Sequence, residues 1–69
     1  MLTYTKHARE RMQQRFISES EVEYCLRDHD ISYTDKKGNP NYITDTPDGR
    51  HIKVVVAKED SALVITVAD

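Results

Sequence analysis

Two helices followed by a four-stranded antiparallel meander, with both helices on one face of the sheet, is the α+β architecture that this chain of 69 residues predicts. Three observations predict it. His7, Arg11 and Arg15 recur every four residues beside a second stripe of Ala8, Met12 and Phe16, as neighbours do on a helix of 3.6 residues per turn. Ser18 and Glu21 stand three apart at the head of a further amphipathic run. From residue 31 onward the chain changes to short β-prone segments punctuated by turn chemistry.

The first helix is capped by Thr3 or Thr5 and runs to about Arg15 or Phe16. The second starts at Glu19. In a capping box, Ser18 and Glu21 each satisfy a backbone N–H at the other's end, and Ile17 with Val22 has the spacing of a hydrophobic staple. Its apolar stripe is Val22, Cys25 and Leu26, extending to His29, and it ends near Arg27 or Asp28, where helix formers give out. Residues 31–35 form a weak strand, residues 36–40 a turn, and residues 41–46 a second strand. Pro47-Asp48-Gly49 marks a tight hairpin turn. Residues 50–58 and 62–68 are the strongest strands and should form the centre of the sheet.

Side chains alternate across a strand, so Ile52, Val54 and Val56 share one face, opposite His51, Lys53, Val55 and Ala57. Leu63, Ile65 and Val67 share a face in the last strand. Both apolar sets are assigned to the core beneath the helices. That leaves His51, Lys53 and Val55 on the open face, beside Tyr42 and Thr44.

Length and composition point to one domain over residues 1–69 with a thin core. The single Cys25 excludes an intramolecular disulfide and a cysteine-rich zinc site. Its place on the apolar stripe reads as a buried structural thiol. No apolar run reaches the roughly 20 residues that span a bilayer, and the N-terminus lacks a signal-like layout, so the expectation is a cytoplasmic protein without membrane contact. A formal charge of −2 argues against a general polyanion binder. The distribution is uneven, however. Residues 6–15 set Lys6, Arg9, Arg11 and Arg15 against Glu10, a local charge of +3 that leaves about −5 for the remainder. His7, His29 and His51 lie 22 residues apart on three elements, without the short spacings a metal site favours, so neither a metal nor a cofactor is expected.

His7-Ala8-x-x-Arg11-Met12-x-x-Arg15, the Ile17-Ser18 helix start, Gly38-Asn39-Pro40, and Lys53-Val54-Val55-Val56 leading into Leu63-Val64-Ile65-Thr66-Val67 resemble the family catalogued as domain of unknown function 4258. The likeness covers nearly the whole chain. That family is in turn similar to the small RNase toxins that include RelE, ParE and BrnT, which share a helix-helix-sheet core. The resemblance implies a RelE-like fold and either a metal-independent endoribonuclease or a noncatalytic relative of one. It implies RNA or the ribosome, or an antitoxin-like protein, as partner, and carries the active-group candidates onto His7, Arg11 and Arg15. Two departures stand out. The chain is acidic outside its first helix where toxins tend to be basic, and Phe16 occupies a position where the related sequences favour glycine.

Metal-free RNA cleavage needs a base for the 2′-hydroxyl proton, an acid for the leaving oxygen and positive charge at the phosphorane. His7 suits a proton-transfer role, and Arg11 with Arg15 suits the developing charge. A second proton-transfer group must come from elsewhere. His51 and Lys53, or Tyr42 beside them, complete a site if the first helix packs so that its polar stripe overhangs the sheet edge. The rival expectation is a noncatalytic interaction module that pairs with a partner or forms a homodimer, using the unpaired edge of the weak first strand.

Overall fold

Capping chemistry sets the two helices. The structure is a computed structural model describing Met1–Asp69, with β1 (Thr3–Tyr4), α1 (Lys6–Arg15), α2 (Glu19–Asp28), β2 (Ile31–Thr34), β3 (Pro40–Asp45), β4 (His51–Ala57) and β5 (Asp60–Ala68). The Ser18 hydroxyl accepts from the Glu21 N–H at 3.1 Å, and the Glu21 carboxylate accepts from the Ser18 N–H at 2.9 Å. The expected capping box is therefore complete. Ile17 and Val22, the staple residues, are both buried in the core. Thr5, rather than Thr3, caps α1, accepting from the Ala8 N–H at 3.0 Å. At the other end Phe16 adopts the left-handed conformation (φ 56°), and the Ile17 N–H closes the helix onto the Met12 carbonyl at 2.9 Å.

Five strands, rather than four, make up the sheet, in the order β1-β5-β4-β3-β2, and it is mixed rather than purely antiparallel. The extra strand is Thr3–Tyr4, which pairs parallel with Leu63 and Val64. Two residues carry no periodicity to read, so this segment is invisible to pattern analysis. The other pairings are antiparallel, as expected.

The core lies between the helices and one face of the sheet. Ala8, Met12, Val22 and Cys25 pack with Ile52, Val54 and Val56, all buried as anticipated. The β5 contribution differs from expectation. Val64 and Val67 are the buried pair, while Leu63 and Ile65 are only half-buried. A β-bulge accounts for this: Val54 pairs with Val67 and Val56 with Val64, so Ile65 and Thr66 together oppose Val55. The inserted residue breaks strict alternation and turns Val64 inward.

Tyr42 and Thr44 also lie on the face opposite to the expected one. Tyr42 pairs with Val54 and Thr44 with Ile52, beneath the helices, which places Asn41, Ile43 and Asp45 on the open face. The hairpin sets this register: the Thr46 N–H reaches the Arg50 carbonyl at 2.7 Å and the Gly49 N–H reaches the Thr46 carbonyl at 2.9 Å. Buried Thr44 donates its hydroxyl to the Asp28 carbonyl at 3.2 Å, tying β3 to the end of α2.

Candidate active-site cleft

Because β1 spans only two residues, the stretch of β5 beyond Val64 pairs with β4 on one side but has no strand along its outer edge. Helix α1 covers that edge instead. The Thr5 hydroxyl donates to the Ile65 carbonyl at 2.7 Å, and Arg11 Nε donates to the Val67 carbonyl at 3.4 Å. These side chains replace ladder partners and draw the polar flank of α1 over the margin of the sheet.

The consequence is a cleft of about 310 Å³. His7 and Arg11 wall it from α1, Lys53 and Val55 from β4, and Thr66 to Ala68 of β5 form its floor. Residues 46 positions apart in sequence thus share one hollow. His7 is exposed, and no hydrogen bond within the chain holds its ring, whereas Arg11 and Lys53 are half-buried. Since Arg11 uses Nε on β5, both of its terminal nitrogens remain without a partner in the chain and free to donate.

The structure brings together His7, Arg11 and Lys53 and leaves Arg15 and His51 outside the cleft. Arg15 Nε lies 3.9 Å from Asp69, and the Arg15 carbonyl accepts from Arg50 at 2.6 Å. His51 stands on the open face two residues before Lys53, with Nδ1 at 2.9 Å from the Asp45 carboxylate. Tyr42 is excluded by its register. Its ring lies instead against His29 on the helical side, with centroids 4.7 Å apart and planes tilted by 50°.

Cys25 is fully buried, its thiol 3.3 Å from the Tyr42 carbonyl and 3.7 Å from that of Ile52. Burial pushes the thiol up to about 11, which keeps it protonated and suppresses nucleophilic chemistry. No three His, Cys, Asp or Glu side chains converge as metal ligands would. A larger hollow of about 500 Å³ lies between α2 and the β1–β5 margin, but Glu19 and Glu23 in its wall make it unfavourable for phosphate. The Tyr4 hydroxyl is raised from its ordinary range, first by burial and then by those two carboxylates.

Sequence reasoning missed Arg50. Its guanidinium donates to the Phe16 and Arg15 carbonyls at 2.5 and 2.6 Å, reaches Glu21 at 3.3 Å and Asp69 at 3.3 Å, and so locks the end of α1 to the start of α2 and to β4. Only its position directly after the Asp48-Gly49 turn hinted at a special role.

The profile of the family described as "Domain of unknown function (DUF4258)" matches residues 4–69. The chain belongs to this family. No curated protein and no solved structure matches the chain. The family description carries no activity, so a functional reading rests on the cleft itself. No helix is long and apolar enough to cross a membrane.

Proposed function

We propose that this domain binds RNA at the His7–Arg11–Lys53 cleft and cleaves it without a metal. The single observation that carries the reading is the meeting of an unengaged imidazole with two cationic side chains from different elements in one hollow. The motifs around His7 and Arg11 support it through their resemblance to the family, whose likeness to the RelE, ParE and BrnT toxins carries active-group candidates onto the same residues. In this reading Arg11 and Lys53 grip the non-bridging oxygens of a phosphodiester. His7 takes the 2′-hydroxyl proton, the 2′-oxygen bonds to phosphorus, and the bond to the 5′-oxygen breaks. The Lys53 ammonium protonates that leaving oxygen, and the products are a 2′,3′-cyclic phosphate and a free 5′-hydroxyl.

End-labelled RNA incubated with the chain in a chelator tests this directly. The expected result is cyclic-phosphate product, with His7→Ala slowing its formation by at least about 10²-fold and Arg11→Ala by a similar factor. Cleavage that persists unchanged in both variants, with circular dichroism showing them folded, would remove the cleft from the chemistry.

A second reading, a noncatalytic module that pairs through its sheet edge, draws on β2. All four of its residues are exposed, Ile31 by 55%. Ladder geometry, with the Asp35 N–H on the Asn39 carbonyl, turns the N–H and C=O groups of Ser32 and Thr34 outward. Light scattering at rising concentration discriminates: a dimer lost on replacing Ser32 by Pro favours this reading, and a monomer throughout rules out self-pairing by this edge.

A further inference from the structure

The open face of the sheet carries a second groove, of about 460 Å³, running from the β2–β3 turn towards β5. It shares Lys53, Val55 and Thr66 with the cleft, so the two hollows adjoin. Its walls add Lys36, Lys37 and Tyr33. In a chain of net charge −2, Lys36, Lys37, Lys53 and Arg11 therefore form one cationic track, opposed within it only by Asp35. The Asp35 carboxylate is already engaged by the Lys37 and Asn39 N–H groups and the Asn41 amide, which hold its protonation well below the usual carboxylate range, with the Asn39 bond contributing most.

Tyr33 is the telling residue. It sits on an edge strand that buries nothing, is 44% exposed, and so adds little to the core. The Lys53 ammonium lies 5.7 Å from its ring centroid, close to the outer limit of a cation–π contact, and the ring borders the groove. An aromatic face beside a line of lysines is the arrangement that accepts an unstacked base next to its phosphates. A duplex offers no free base face, so this surface suits single strands.

We propose that the open face, from the Lys36–Lys37 turn across Tyr33 and Lys53 to the α1 cleft, is a binding track for single-stranded RNA, in which one base stacks on Tyr33 while Lys36, Lys37 and Lys53 follow the backbone. The proposal rests on the reading of the cleft as an RNA site and extends it: the cleft holds the reacting phosphate, and the track holds the strand leading to it. On the order of four nucleotides bind, the lower end of what small single-strand-binding domains cover.

Fluorescence anisotropy at low salt with 2′-O-methyl oligouridylates of two to twelve nucleotides, which the proposed reaction cannot cut, and with a blunt 2′-O-methyl RNA duplex, tests the track. For the wild-type chain, affinity should rise with length up to about four to six nucleotides and then level off, and the duplex should bind at least about tenfold more weakly. Tyr33→Ala should weaken the longer oligomers about tenfold while leaving the dinucleotide unchanged. Lys36→Ala with Lys37→Ala should flatten the dependence on length and lower the salt slope. Affinity independent of length but lost in Arg11→Ala would overturn the track and leave the cleft standing. A duplex that binds as well as the single strand, or a Tyr33→Ala chain that binds normally, would overturn the track as well. Oligomers that fail to bind at any length would overturn both.

Discussion

Ile52 and Lys53 are neighbours on β4 and face opposite sides of the sheet. Ile52 is fully buried under α2, packed with Val22 and Cys25 in the core, whereas Lys53 is half-exposed and borders both the cleft and the groove. The two faces differ in packing and charge. Nearly all the close packing is on the helical side, and nearly all the cationic groups with no structural partner are on the other. A chain of 69 residues has little apolar area to spare, and on the open face Val55 and Asn41 are buried while Tyr33 and Lys53 are not, so the cationic groups there are under little demand from folding.

The largest effect that tests the division is on stability. Ile52→Ala should cost about 2–5 kcal/mol, enough to lower the melting temperature of so small a domain by more than about 10 °C. Lys53→Ala, one residue away, should stay within about 0.5 kcal/mol. Urea denaturation of both variants measures the pair, and equal losses would mean that the open face is covered by packing after all.

Next in size is a pH effect confined to the helical side. The Cys25 thiol sits at about 11 when folded against an ordinary 9.0, because burial disfavours the thiolate. Its pKa is raised on folding, so the unfolded chain releases the proton first, and the stabilisation is whole below about pH 9 and lost as the pH climbs towards 11. Two pH units correspond to about 2–3 kcal/mol. Cys25→Ala should therefore flatten the fall in stability between pH 9 and 11 relative to wild type, while lowering stability at neutral pH by loss of packing. An unchanged slope in the variant would show that the thiol contributes nothing there.

Legibility followed the range of the interactions. Helix α2 could be read in full because Ser18, Glu21, Ile17 and Val22 act within a few residues of one another. On β5 the run Leu63-Val64-Ile65-Thr66-Val67 is apolar on both faces, so alternation could not reveal the bulge that turns Val64 inward. Tyr42 and Thr44 were misplaced because a strand's face depends on hairpin register, which the Thr46–Arg50 pairing sets. The stripe of His7 and Arg11 was plain in the sequence, and Lys53 was among the companions it offered; the three line one cleft. Arg15 and His51 lie outside that cleft for reasons that only tertiary structure supplies, one beside Asp69 and the other held by Asp45. Tyr33, Lys36 and Lys37 join that surface through cross-strand neighbours, which leave no mark on a linear pattern.

The smallest expected effect concerns Phe16, which belongs to neither face. Its side chain is 85% exposed, so it adds almost nothing by burial, and its backbone is left-handed at φ 56°. For a residue with a β-carbon that conformation costs about 1–2 kcal/mol. The closure itself does not need the ring. It needs the turn, the Ile17 N–H on the Met12 carbonyl, and the Arg50 guanidinium on the Phe16 and Arg15 carbonyls, and none of these uses the side chain of residue 16. Phe16→Gly keeps each of them and relieves the strain, against a penalty of about 0.5–1 kcal/mol for the freer unfolded chain. The net expectation is a gain of up to about 1 kcal/mol, a rise of a few degrees in melting temperature. A loss of stability instead would mean that the exposed ring supports the junction of α1 with α2, and the separation of packing from surface would then be less complete at this corner than on the sheet.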